Sequence, residues 1–149
     1  MSEKTARTES SSDPIITVVI SSYNRAAQLA LALQGLTRQT APRQHFCVLV
    51  VDNNSQDDSE QVVQRFADNL AVAFVNEPQQ GVGYVRNTGF RLAQGAYVAF
   101  LDDDAIPHPD YLERILDDIE RDQADCFCGP ILPYYDHPKP SWFKDSYEA

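Results

Sequence analysis

Two apolar runs rich in β-branched residues set the pattern of this chain. Ile15-Ile-Thr-Val-Val-Ile20 and Phe46-Cys-Val-Leu-Val-Val51 are nearly continuous, without polar alternation. Such runs predict strands buried on both faces, as in a parallel sheet. Ala71-Val-Ala-Phe-Val75 and the uncharged stretch Ala96 to Leu101 predict two more strands, and Cys126 to Leu132, interrupted by Gly129 and Pro130, a fifth. Between strands the apolar positions change to helical spacing. Leu29, Leu33 and Leu36 predict a helix over 25–38, with Asn24 as its N-cap. Val62, Val63 and Phe66 mark a second, with Asp57 and Glu60 at capping-box spacing. Val85, Thr88 and Leu92 share one face of a third over 84–93, which Gly95 stops. Tyr111, Leu112, Ile115, Leu116 and Ile119 stripe a fourth, opened at Pro107. Strand–helix alternation over 15–132 predicts an α/β fold with a mostly parallel sheet. Residues 1–14 are polar and aperiodic and read as a disordered leader. Residues 133–149 are aromatic, proline-rich and charged; they receive no regular element, and Trp142 and Phe143 are expected to form an exposed patch.

Composition narrows the function classes. The length, 149 residues, suits one domain with a real core. The net charge of −10, from 22 acids against 12 bases, argues against a nucleic-acid binder, whose footprint is basic. No apolar run reaches the roughly 18–20 residues of a membrane span, and the polar first residues lack a secretory core. Three cysteines, Cys47, Cys126 and Cys128, are an odd count, which suits a reducing compartment and buried thiols. Cys126 and Cys128 would share one face of a strand, where a two-thiolate metal site is possible but poor in ligands. The expectation is a soluble, cytoplasmic protein.

Chemistry concentrates where strands end. The fourth strand empties into Asp102, Asp103 and Asp104 without a break. Adjacent carboxylates repel and raise one another's pKa, a cost that a bound hard cation removes; the plain alternative is a solvated acidic turn. The first strand ends in Tyr23, Asn24 and Arg25, and the second in Asp52. In open parallel sheets ligands bind beyond the carboxyl strand ends, where strand order reverses. If strands one, two and four are neighbours, these residues face one crevice. An aromatic ring there can stack on a base, a carboxylate can accept a base N–H, and an acid cluster can hold a cation on a diphosphate. Arg86, early in the third helix, can reach the same phosphates. Each has a structural alternative: Tyr23 packing at the sheet rim, Asp52 capping its own loop, Arg86 solvated on a helix. His108 and His137 read as surface residues, and no Ser/His/Asp or Cys/His arrangement stands out. Gly81-Val-Gly83 lacks the preceding strand and third glycine of a dinucleotide fingerprint. A phospho-acceptor domain would need paired acids where this chain has Ser21-Ser-Tyr-Asn24.

Taken in order, Val19-Ile-Ser-Ser-Tyr-Asn-Arg25, Val50-Val-Asp-Asn-Asn-Ser-Gln-Asp57, Gly81-Val-Gly-Tyr-Val-Arg-Asn-Thr-Gly89, Gly95-Ala-Tyr-Val-Ala-Phe-Leu-Asp-Asp-Asp-Ala105 and Gly129-Pro-Ile131 resemble the family 2 glycosyltransferases, inverting enzymes of the GT-A fold. The resemblance covers residues 15 to about 132. It implies a Rossmann-like, mostly parallel sheet with helices on both faces, apparently truncated. Residues 15–132 would be the nucleotide-sugar-binding half-domain and 133–149 the start of an acceptor-side region. Tyr23 would lie against the nucleobase, with Asn24 and Arg25 beside it in the nucleotide site. Asp52 would read the base edge, Arg86 would help hold the nucleotide, and Asp102 would approach the ribose. Asp103 would lie near the sugar or ribose. Asp104, with Asp102, would bind Mn²⁺ or Mg²⁺ bridging the diphosphate. The implied partners are a nucleotide-sugar donor, a UDP-sugar by default, and an acceptor hydroxyl on a glycan, lipid-linked sugar or small molecule. Peripheral membrane association belongs to the full enzyme. One feature departs from the family. Inverting transfer needs a general base on the acceptor hydroxyl, and neither Asp136, Asp145 nor Glu148 sits in a recognisable version of that motif. The chain therefore reads as a donor half completed by a C-terminal half or a partner chain. The alternative is a non-catalytic nucleotide or nucleotide-sugar binding module.

Overall fold

The computed structural model describes residues 14–122, 125–135 and 138–144. The first apolar run forms strand β1 (Ile16–Ser22). Its alternation sends Ile16, Val18 and Ile20 into one layer and Val19 into another. The other runs give β2 (Phe46–Asp52), β3 (Val72–Asn76) and β4 (Tyr97–Asp102). All three pairings are parallel, in the order β3-β2-β1-β4. The two central strands are buried on both faces, so continuous hydrophobic runs were the right signal for them.

Helices α1 (Ala26–Thr37), α2 (Ser59–Phe66) and α4 (Tyr111–Asp122) share one layer with the larger core; α3 (Val82–Leu92) covers the other face. In α1, Leu29, Leu33 and Leu36 are fully buried, each worth about 2 kcal/mol of transfer free energy. The α4 stripe packs on the same cluster through Leu112, Tyr111, Ile115, Leu116 and Ile119. On the opposite face Val85 meets Val19, Leu49 and Val51. Gly89 lets α3 lie against β1: a Cβ there would come 2.3 Å from Val19 Cγ1.

Several local expectations are corrected. Residues 125–135 carry no strand; they are mostly exposed, and Pro130 and Pro133 cannot donate to a ladder. Arg25, not Asn24, is the N-cap residue of α1; Asn24 has φ 51° and belongs to the loop before it. The donor at the start of α1 is satisfied from a distance, Ala26 N–H reaching Asp57 Oδ2 at 2.9 Å. The other Asp57 oxygen accepts Ser59 N–H and Oγ–H at 3.1 and 2.6 Å. Because α2 begins at Ser59, Asp57 and Glu60 do not frame a capping box. Helix α4 starts at Tyr111 rather than Pro107, since Pro109 follows within two residues and holds His108 out of the helical region. Leu92, expected inside, is 49% exposed. Cys126 and Cys128 are exposed and Cys47 is half-buried, so the reading of buried thiols fails. Of the pair expected to be exposed, Trp142 is and Phe143 is half-buried. Residues 1–13 of the leader, with Asp136, His137, Asp145 and Glu148, lie outside the described residues. No described helix is long and apolar enough to cross a membrane.

Candidate functional site

Strand order reverses between β1 and β4, and there the polar strand ends converge. In register, Ser21 stands opposite Asp102, and Ser22 opposite Asp52, so the ends of β4, β1 and β2 are level. Tyr23, 49% exposed, follows directly on β1. Asn24 ties the loop after β1 to the loop after β2: its N–H donates to Ser55 Oγ at 2.8 Å, and its Oδ1 accepts Gln56 N–H at 2.7 Å. Asp52 is buried, with Oδ2 accepting Ser55 N–H at 2.7 Å and Oδ1 accepting the Ser55 hydroxyl. It thus caps its own loop, as the structural alternative held. An ionised carboxylate has about four lone-pair sites, so this leaves capacity for a further donor.

The three consecutive acids separate. Asp102 is exposed and faces Arg86 Nη2 at 3.5 Å. Asp103 turns inward: Ser22 Oγ–H donates to Oδ2 at 3.0 Å and Arg25 Nη1 donates to Oδ1 at 3.3 Å. Burial pushes its pKa up, against the opposing pull of Ser22 and Arg25. Asp104 points out and accepts Arg25 Nη1 at 2.6 Å. Asp104 first, then Asp103, hold the Arg25 guanidinium more firmly protonated than usual. Every acid in the run therefore has a cationic neighbour, which answers the repulsion that clustering would create. Among the described residues no three acid, His or Cys side chains group as a ready-made metal cage. The donor chemistry nevertheless fits Mg²⁺ or Mn²⁺ bound with a nucleotide. Such ions take one or two carboxylates and complete their shell with phosphate and water oxygens. Asp104 and Asp102 are two outward carboxylates at one strand end.

Asn53 was missed by the sequence reading. It is buried next to Asp52, and its Nδ2 donates to the carbonyls of Glu77 (3.1 Å) and Gln79 (2.7 Å). Its Oδ1 accepts Gly81 N–H at 2.8 Å. One side chain thus fixes the loop that enters α3 and, through it, Arg86. Gly81, at φ 134°, is the N-cap of α3, a backbone state that favours glycine. The only advance signal was a short polar side chain at a buried strand end; its partners lie 24 to 28 residues downstream. A separate shallow pocket of about 360 Å³, lined by Arg43, Phe46 and Asn69 to Ala71 among others, lies at the opposite end of β2. It is remote from the acids.

Residues 17–148 match the profile described as Glycosyl transferase family 2. Among curated proteins, the glycosyltransferase AglE of Haloferax volcanii is 38% identical over 121 residues, which is 79% of this chain and 40% of that protein. Among solved structures, S. aureus TarS 1-349 in complex with UDP-GlcNAc superposes with a TM-score of 0.71 at 27% identity, covering 74% of this chain and 32% of that one. The mannosyltransferase PcManGT from Pyrobaculum calidifontis, in complex with GDP-Man and Mn²⁺, gives 0.67 at 32% identity, over 73% and 33%. The chain thus spans about a third to two-fifths of the length of these relatives.

Proposed function

The chain belongs to glycosyl transferase family 2, and from that premise we propose that it forms the donor half of a metal-dependent, inverting glycosyltransferase. The carrying observation is the convergence of Tyr23, Asp52, Arg86 and Asp102 to Asp104 on the level ends of three parallel strands. Exposed Tyr23 offers a face for the base. Asp52, held in place by Ser55, accepts a base N–H with a remaining lone pair. Arg86 leaves Asp102 for the diphosphate, which frees Asp102 for the ribose. Asp103, expected near the sugar or ribose, is instead given a supporting role, because it is buried and accepts from Ser22 and Arg25. Asp104, with Asp102, would hold Mn²⁺ or Mg²⁺, which when bound supplies Lewis-acid stabilisation of the departing nucleoside diphosphate. A uridine diphosphate sugar is the proposed donor; binding of UDP-GlcNAc by TarS and of GDP-Man by PcManGT supports a nucleotide-sugar donor in general. The attacking group is an acceptor hydroxyl, activated by a base outside the set of residues assigned here.

Calorimetric titration of UDP, and of GDP and TDP, with Mn²⁺ or with EDTA tests this reading. Binding is expected with Mn²⁺, and Asp104→Asn is expected to weaken it at least about tenfold, roughly 1.4 kcal/mol. Silence of all three nucleotides toward the folded protein, or binding indifferent to EDTA and to Asp104→Asn, would overturn it.

A further inference from the structure

Arg25 stands between two of the three acids. A single nitrogen, Nη1, bonds two carboxylates, Asp103 at 3.3 Å and Asp104 at 2.6 Å. Its main chain is fixed at the start of α1, where its carbonyl accepts Leu29 N–H at 2.9 Å. Its side chain is half exposed and therefore able to move. The two acids differ: Asp103 is buried and also clamped by Ser22, whereas Asp104 is open to solvent.

We propose that Arg25 is a place-holding counterion that sits on Asp104 until a divalent cation arrives together with a diphosphate. This inference rests on the donor-site reading. A cation reaching Asp104 competes with the guanidinium for the charge of one carboxylate and meets it at close range, since Nη1 lies 2.6 Å from Oδ2. The buried Asp103 keeps Arg25 nearby, so the side chain pivots rather than leaves. A divalent ion alone faces that competition and the repulsion of a neighbouring positive charge. An ion carrying a diphosphate does not, because the released guanidinium gains phosphate oxygens, its best acceptors. Arg25 thereby couples the two ligands: each binds better in the presence of the other, and the coupling is reciprocal.

The test is titration of Mn²⁺ into the full chain, followed by the loss of the free-ion electron paramagnetic resonance signal, with and without UDP. Wild type is expected to take Mn²⁺ weakly alone and more tightly with UDP. Arg25→Gln is expected to bind Mn²⁺ alone about fivefold more tightly than wild type, the scale of an exposed ion pair, and to show a smaller gain from UDP. The added affinity should vanish in Arg25→Gln with Asp104→Asn. If Asp103 without its counterion prevents folding, Arg25→Gln with Asp103→Asn neutralises the buried acid and carries the same comparison. Unchanged or weaker Mn²⁺ binding in these variants overturns the place-holder. Failure of the donor reading looks different: wild type would ignore UDP at every Mn²⁺ concentration, while a gain in bare Mn²⁺ affinity on removing Arg25 would still uphold the competition at Asp104.

Discussion

Glu77 anchors the loop that leads into α3. Its Oε2 accepts the Thr88 hydroxyl at 2.6 Å, and its Oε1 accepts Gln79 N–H at 3.0 Å. The Thr88 bond first, then the Gln79 amide and the charge of Arg91, hold its pKa below the ordinary 4.5. The folded state thus binds fewer protons here than the unfolded chain. This contribution to stability is full above 4.5 and is lost as pH falls through the folded-state value. Glu77→Gln is expected to lower the Tm at neutral pH, and its gap to wild type should close over the acid window that runs from 4.5 down through the folded-state value. Thermal melts at both ends of that window decide the matter, and a gap independent of pH would refute the assignment. At this scale the sequence exposed the chemistry-bearing residues but not the ones that hold them. Asp52 and the acid run stand at strand ends and could be found from hydrophobic pattern alone. Asn53 and Glu77 act through partners outside their own segment, Asn53 across 24 to 28 residues and Glu77 across 11 to Thr88, and pattern carries no trace of such pairs.

Helix α3 shows what a single element contributes. Among the described helices it is the one on its face of the sheet; it carries Arg86 and approaches β1 at Gly89. Alanine there would place a methyl 2.3 Å from Val19 Cγ1, so helix or strand has to move. Gly89→Ala is expected to destabilise the fold by about 1–3 kcal/mol through overpacking, and to weaken Mn²⁺·UDP binding because Arg86 sits one turn away. Combining it with Val19→Ala should recover part of the loss. Chemical denaturation of the two single variants and the double measures that coupling, and strict additivity would exclude the contact as the cause. The four strands and their helices were legible because β-branched runs and three- and four-residue spacings report burial directly. Element ends were less so: Pro109 moved the start of α4 to Tyr111, and an apolar composition over 126–132 suggested a strand where Gly129 and Pro130 interrupt it and Pro130 cannot donate to a ladder. The apolar end of α3 misled for another reason. Phe90 and Leu92 are 65% and 49% exposed, so hydrophobicity there does not mark the inner face.

Across the whole molecule, the sheet order decides which parts a ligand can stabilise. Strand β4 is an edge strand that pairs only with β1 among the described residues, and it runs into Asp102, Asp103 and Asp104. Strand β3 is the other edge, paired with β2, and none of the proposed ligand-contacting residues lies on it. Edge strands open more readily than central ones, because fewer hydrogen bonds and less packing must be broken. A nucleotide held at once by Tyr23, Asp52 and the β4 acids would link three strand ends, so opening β4 would first require losing the ligand. Saturation at about 100 times Kd adds roughly 2.7 kcal/mol to the free energy of such an opening. Amide hydrogen exchange over Tyr97–Asp102 is therefore expected to slow markedly when UDP and Mn²⁺ are added together, while exchange over Val72–Asn76 changes little. Equal slowing of both edges would mean general stabilisation of the fold. Slowing confined to β3 would move the binding site to the opposite edge, away from the acids.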